Sequence, residues 1–306
     1  MDERPVEGRA MIRIRFLCLL PVLFALPASS LRAQEVSPAE KLMSASRPLV
    51  IAHRGYSEIA PENTLPSFRL ANAAAADMVE LDYYHSRDGA LVVFHDRTLD
   101  RTTNAVEQWG GAEIPVDSKT LAELKTLDAG KWFDPQFTGT RIPTLVEALD
   151  CIQSGGITLI ERKAGDAAAC VNLLRERGGV NSVIIQAFDW KYLAEFHTLE
   201  PRQILGALGP PSVRDGRKLT DAEKTLSPQF IEEAQSAGAR IVGWNSNITS
   251  AAVEYAHQKG MKVWIYTINK PDDAGRMLDM KVDGIITNNV SLIWRTMTLR
   301  QPSAAK

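Results

Sequence analysis

From residue 49 onward, short runs of apolar residues alternate with longer stretches in which apolar positions recur every three or four residues. The first pattern is that of strands buried on both faces, and the second that of helices with one buried face. Together they predict strands at 49–53, 78–83, 157–161, 182–187, 203–208, 240–245, 262–268 and 284–287. Helices are predicted near 64–76, 143–154, 166–177, 189–199, 221–238, 249–259, 271–280 and 290–299. Eight strand–helix units in one chain predict an α/β protein of the (β/α)8 TIM-barrel class. An open doubly wound sheet is the alternative, but no G-x-G-x-x-G follows the first strand.

One apolar run, Leu91 to Phe94, falls outside this count. Only a few residues ending in Asp88-Gly89 separate it from the second strand, too few for the crossover that a parallel neighbour needs. It is predicted to return as a hairpin. A two-residue turn at 88 and 89 would set residue 95 opposite residue 82 and carry His95 back to the barrel mouth. Residues 97–142, rich in turn formers and holding Trp109, Trp132 and Phe133, are then a small insertion after the second barrel strand.

Barrel enzymes keep their chemistry at the C-terminal ends of the strands. There the first apolar run stops at His53-Arg54-Gly55, and the second carries Glu80 and Asp82, two apart and therefore on one face. Two carboxylates beside a titratable ring and a fixed cation point to a metal-assisted reaction on a phosphate ester.

The chain also contains, in order, H-R-G, P-E-N-T, E-x-D, D-G-x-L-V-V-x-H-D, R-T-T-N (Arg101 to Asn104), I-P-T-L-x-E (Ile142 to Glu147), E-x-K (Glu161 and Lys163) and D-G-I-I-T (Asp283 to Thr287). This series resembles the glycerophosphodiester phosphodiesterases and covers nearly all of the chain after residue 48. The resemblance implies metal-dependent hydrolysis of glycerophosphodiesters to an alcohol and sn-glycerol 3-phosphate. Glu80, Asp82 and Glu161 become the metal ligands, and an all-oxygen set favours one divalent ion, Mg²⁺, Ca²⁺ or Mn²⁺, over zinc. His53 and His95 become the acid–base pair, and Arg54 and Lys163 the phosphate holders. Three carboxylates and two cations leave the site at −1, which a divalent ion turns to +1, so the ion is needed to bind an anionic substrate at all. Trp264 and Tyr266 alternate inward from the seventh strand and are candidates to line the substrate pocket, with barrel core as the alternative for Trp264. Asn63 is expected to cap the following helix, a task Thr64 can also perform, and Glu62 and Asn63 could orient the site. The chain departs from the family at Tyr266, Arg162 and Asn288, where tryptophan, an apolar residue and aspartate are common. Two other functions fit the same residues: a phospholipase D-like enzyme acting on lysophospholipids or sphingomyelin, and a non-catalytic periplasmic phosphodiester-binding protein.

Composition narrows the setting. Of 306 residues 45% are hydrophobic and 24% charged, with net charge −2 and no basic cluster interleaved with aromatics, so a small-molecule phosphodiester is the expected partner and nucleic acid is not. Residues 1–33 read as a signal peptide: Arg13 and Arg15, an apolar run from Phe16 to Leu26 too short to span a bilayer, then small residues before Gln34, with Met11 as an alternative start. Its removal leaves 30 basic against 34 acidic residues, predicting a mildly acidic, exported protein, periplasmic or secreted, with no stable membrane anchor. Residues 34–47 read as a linker and 48–306 as the catalytic domain. Cys151 and Cys170 remain in the mature chain, either as a disulfide or as two buried thiols.

Overall fold

A computed structural model describes residues 1–4, 36–214 and 216–300 of the protein. The chain divides into two units, Met1–Glu35 and Val36–Lys306. Of the first, residues 1–4 are exposed and form neither helix nor strand, and the rest of the expected leader lies outside the described residues.

In the second unit the strands, in chain order, are β1 (Leu49–Ala52), β2 (Met78–His85), β3 (Leu91–Val93), β4 (Ile157–Arg162), β5 (Val183–Ala187), β6 (Ile204–Leu208), β7 (Val213–Arg214), β8 (Arg217–Lys218), β9 (Ile241–Trp244), β10 (Lys262–Ile265) and β11 (Gly284–Thr287). Eight of them, β1, β2, β4, β5, β6, β9, β10 and β11, run parallel and close on themselves as β11 pairs back to β1 and β1 to β2. The predicted TIM barrel is therefore the observed fold. Strand β3 lies antiparallel on β2, and β7 with β8 forms a separate two-stranded ribbon.

Residues of each barrel strand alternate between two cores. Outward positions such as Val50, Leu81, Ile160 and Ile185 pack against the surrounding helices, while Ile51, Met78, Leu159, Ile184, Ile241 and Trp264 fill the barrel interior. Ala39 and Met43 join the interior cluster from helix α1 (Pro38–Met43). Ser37 caps this helix through Glu40 N–H (3.1 Å) and Pro38 starts it, so the stretch read as a linker instead closes the N-terminal end of the barrel.

Further expectations are corrected. The loop of the β2–β3 hairpin holds three residues, Arg87, Asp88 and Gly89, with Gly89 in the left-handed region (φ 82°). Tyr83 therefore pairs with Val93, and Phe94 N–H with Asp82 O, one place away from the predicted register. The seventh barrel strand ends at Ile265 rather than 268, and the helix predicted from 221 starts at Pro228 behind its Ser227 cap. Trp264 is a core residue, 1% exposed and packed in the interior cluster with Met43, so it does not line the mouth. Cys151 and Cys170 are free thiols, the first half-buried and the second buried.

Between β3 and β4 the insertion builds its own small core from Phe94, Leu99, Leu124, Leu127 and Ile142. I-P-T-L-x-E ends it as a helix start: Thr144 Oγ1 accepts from Glu147 N–H (3.1 Å) while Glu147 Oε2 accepts from Thr144 N–H (2.8 Å).

Trp264→Ala is expected to lower the unfolding free energy by about 3–5 kcal/mol through the cavity it leaves, measured by urea denaturation. A variant of unchanged stability with an altered KM would return Trp264 to the mouth.

Candidate active site

Following the inward positions toward the C-terminal ends of the strands, Ile51 is succeeded by His53, Met78 by Glu80 and Asp82, Leu159 by Glu161 and Lys163, and Ile184 by Gln186. The apolar interior thus gives way to a polar layer at the mouth. Carboxylate oxygens of Glu80, Asp82 and Glu161 lie within 4.8 Å of one another.

Two non-glycine residues in the left-handed region shape this layer. After β1 the backbone turns through Arg54 (φ 55°) and Gly55 (φ 83°), and a Cβ on Gly55 would collide with Ser67. This turn aims Arg54 N–H at Glu80 Oε2 (2.7 Å). Asn63 (φ 57°) donates from Nδ2 to Asp82 Oδ2 (2.8 Å) and accepts at Oδ1 from Asp82 N–H (3.2 Å). Asn63 therefore clamps a carboxylate and does not cap the helix α2 (Leu65–Ala73). Thr64 takes the cap position, its N–H donating to Ser67 Oγ (3.3 Å).

Two cations lie against the three carboxylates. Lys163 Nζ donates to Glu161 Oε1 (2.7 Å) and stands 3.6 Å from Asp82 Oδ1, while Arg54 Nε is 3.4 Å from Asp82 Oδ2. A second tier fixes Arg54: its Nη1 donates to Glu62 Oε1 (2.8 Å), and Arg101 bridges Glu62 (2.7 Å) to Asp96 (2.6 Å).

The donor set fits a hard cation. Glu80 Oε1 and Asp82 Oδ1 are buried with no hydrogen-bond partner, and all the candidate ligand atoms are oxygens. Without an ion, burial together with Asp82 and Glu161 pushes the Glu80 carboxyl well above its ordinary value. Burial and Asp82 push Glu161 up to about 7, against the pull of Lys163.

The two histidines have unlike partners. His53 Nδ1 is 2.7 Å from Asn288 Oδ1, and because an amide oxygen only accepts, Nδ1 carries the proton and Nε2 keeps its lone pair. Burial and the Arg54 charge push its pKa down to about 4. His95 Nδ1 donates to Asp96 Oδ1 (2.6 Å), leaving Nε2 free in turn. Burial lowers its pKa, and Asp82, Arg54 and Lys163 are close enough to act on its charge. Asp96 itself is held at about 2, the hydrogen bonds from Arg101 and His95 outweighing its burial.

Of the nine residues singled out from the sequence, eight converge here and Trp264 does not. Tyr266 joins Phe188, Leu208, Ile286 and Gln186 in lining the cleft beside His53, Glu80 and Glu161, its hydroxyl donating to Gly209 O. Sequence reasoning missed Gln186 and Phe188, and gave no role to Arg101 or Asp96. A polar residue at an inward position of Val183-Ile184-Ile185-Gln186 was the available signal for Gln186. A larger cavity of about 700 Å³ beside the helices Pro228–Ser236 and Ser250–Gln258 is lined by none of these groups.

Residues 53–292 match the model of the glycerophosphoryl diester phosphodiesterase family. A glycerophosphodiester phosphodiesterase of Bacillus subtilis is 32% identical over 299 residues, 91% of this chain and 96% of that protein. One from Caldanaerobacter subterraneus is 36% identical over 79% of this chain and 94% of its own length. An Oleispira antarctica phosphodiesterase, solved in complex with the product sn-glycerol-3-phosphate, superposes with a TM-score of 0.71 at 27% identity, covering 82% of this chain and 97% of that one.

Because a cation must displace the proton that burial and Asp82 let Glu161 hold up to about pH 7, Ca²⁺ or Mn²⁺ affinity should rise as pH is raised from about 6 to about 8. Calorimetry at pH 6 in buffers of different ionisation heat should register proton release on ion binding. A flat affinity with no proton release would remove the acidic cluster as the binding site.

Proposed function

We infer, because the chain belongs to the glycerophosphoryl diester phosphodiesterase family, that its barrel mouth hydrolyses glycerophosphodiesters to an alcohol and sn-glycerol 3-phosphate with one divalent ion, Mg²⁺, Ca²⁺ or Mn²⁺. The convergence of Glu80, Asp82 and Glu161 in one buried space carries this reading. The product seen in the Oleispira antarctica enzyme supports the choice of product.

The ion, when bound, would supply Lewis-acid polarisation of the phosphoryl oxygens and reverse the sign of the site charge. Arg54 and Lys163, set beside Asp82 and Glu161, would hold the non-bridging oxygens of the phosphodiester. His53 is neutral above about pH 4, with Nε2 unprotonated, and takes the proton of the attacking hydroxyl. His95 in its imidazolium form, which the hydrogen-bonded Asp96 carboxylate favours, gives the proton on Nε2 to the leaving alkoxide and is left neutral. Phosphodiester hydrolysis needs on the order of 20 kcal/mol of barrier reduction. Each proton transfer supplies roughly 3–5 kcal/mol, so electrostatic stabilisation by the ion and the two cations carries the larger share.

The N-terminal segment adds a location. We propose that residues 1–33 direct export and are removed, on the strength of Arg13, Arg15 and the Phe16 to Leu26 run. Among the described residues no helix is long and apolar enough to cross a membrane.

Chelation should abolish turnover of glycerophosphodiesters and added Mg²⁺, Ca²⁺ or Mn²⁺ restore it, while Glu80→Gln and Asp82→Asn should chiefly weaken ion binding. Full activity after thorough demetallation would refute the ion's role. Lysophospholipids and sphingomyelin belong in the same panel, since preference for them would favour a phospholipase D-like enzyme.

His53→Ala and His95→Ala should each lower kcat by roughly 10²- to 10⁴-fold. With a p-nitrophenyl leaving group, which needs no proton, the His95→Ala defect should shrink and the His53→Ala defect persist. Equal defects on both substrates would reject this division.

Mass spectrometry of protein from the native host should find an N-terminus near Gln34. A mature chain retaining Phe16 to Leu26 would contradict export by cleavage.

A further inference from the structure

The cleft has two unlike sides. Arg54, Lys163 and His95 stand with their carboxylate partners on one, and Phe188, Leu208, Tyr266 and Ile286 wall the other. Within the neutral side Gln186 is anomalous. It follows Ile184 of the interior layer on β5, so its amide enters the mouth, and it is 3% exposed. No described residue hydrogen-bonds to that amide, whose atoms stay open to the cleft rather than sealed in the core. The other polar side chains lining this space each have a partner: Tyr266 with Gly209, Glu161 with Lys163, His53 with Asn288, and Glu80 through Oε2 with the backbone of Arg54, its Oε1 being the oxygen turned to the carboxylate cluster. Across the strand pair, Gly206 lies beside Gln186 and presents no side chain to occupy it. Withdrawing an amide from water without a partner is unfavourable, so a ligand that satisfies it is favoured.

We propose that Gln186 determines specificity by hydrogen-bonding the hydroxyls of the glycerol unit joined to the phosphate. This rests on the reaction proposed above and assigns the part of the site that reads the alcohol carbons. An amide offers an acceptor and two donors, which matches a diol that both gives and takes hydrogen bonds. Being uncharged, it suits neither a second anion nor an ammonium group. The cleft it faces has a volume of only about 30 Å³, far below the roughly 300–1,000 Å³ of sites for larger ligands, which leaves no room for an acyl chain. Phe188 and Tyr266, in edge contact at 6.1 Å, give the carbon backbone of that polyol an apolar wall.

The test compares sn-glycerol 3-phosphate with n-propyl phosphate, which has the same carbons and phosphate but no hydroxyls, binding to the Ca²⁺-loaded protein by calorimetry. The wild type should prefer sn-glycerol 3-phosphate by roughly ten-fold, the size of one or two neutral hydrogen bonds. Q186M, close in volume, should reduce that preference below about two-fold and leave the affinity for n-propyl phosphate and Ca²⁺ unchanged. Q186L serves as a second variant should Q186M fold poorly. Retained preference in the variants, equal weakening of both ligands, loss of Ca²⁺ affinity, or a wild type that does not discriminate would each overturn the assignment. Failure of the proposed reaction is separable, because it shows as no turnover of any glycerophosphodiester while the binding preference and its loss in Q186M persist.

Discussion

Three carboxylates forced into one buried space set the conditions for the rest of the mouth. Glu80, Asp82 and Glu161 are held on adjacent strands by backbone pairing, so they cannot separate to relieve their repulsion. Protons on Glu80 and Glu161, the cations Arg54 and Lys163, or a divalent ion must offset it. The first option weakens as pH rises, the second leaves three carboxylates against two cations, and the third fits the all-oxygen donor set. The repulsion also explains the surrounding network. Arg54 needs Glu62 to fix its guanidinium, Glu62 needs Arg101, and Arg101 in turn fixes Asp96 against His95, so a single run of paired charges links the ion site to a histidine contributed from beyond the hairpin.

Holding this arrangement strains the backbone at two places. Arg54 and Asn63 both adopt positive φ, a conformation that costs about 1–2 kcal/mol for a residue with a side chain, and they are joined by Asn63 N–H to Arg54 O (3.0 Å). Each delivers a donor to a different carboxylate of the cluster. The coincidence accounts for two of the sequence motifs physically: H-R-G supplies the turn with a glycine where Ser67 permits no Cβ, and P-E-N-T supplies an asparagine, the residue type that best tolerates this conformation while keeping a side-chain donor.

The barrel and the face of nearly every site residue were legible because one periodicity encodes both. An inward position two steps past an interior apolar residue is a mouth position, and His53, Glu80, Glu161 and Gln186 all obey that rule. What the period does not encode is depth. Trp264 and Tyr266 share a face, but Trp264 pairs with Gly243 and Gly284 inside the apolar layer and only Tyr266 reaches the cleft. Register across the hairpin was missed for a related reason, since Asp88-Gly89 marks a turn without stating whether Arg87 belongs to it. Other motifs proved to be architecture: I-P-T-L-x-E is a helix cap, and in R-T-T-N Thr103 and Asn104 fold the insertion through Leu99 O and the backbone of Asp128.

The departure at Asn288 bears most directly on chemistry. Burial lowers the pKa of both histidines, yet only His95 has a carboxylate hydrogen-bonded to its ring. A carboxylate at position 288 would stabilise an imidazolium at His53, whereas the amide orients the ring through the same Nδ1 contact without supplying a charge. His53 therefore stays neutral across the physiological range with its lone pair turned from Asn288. The arrangement separates the two rings by partner rather than by ring chemistry: an amide beside His53, which leaves its ring uncharged, and a carboxylate beside His95, which favours the charged ring.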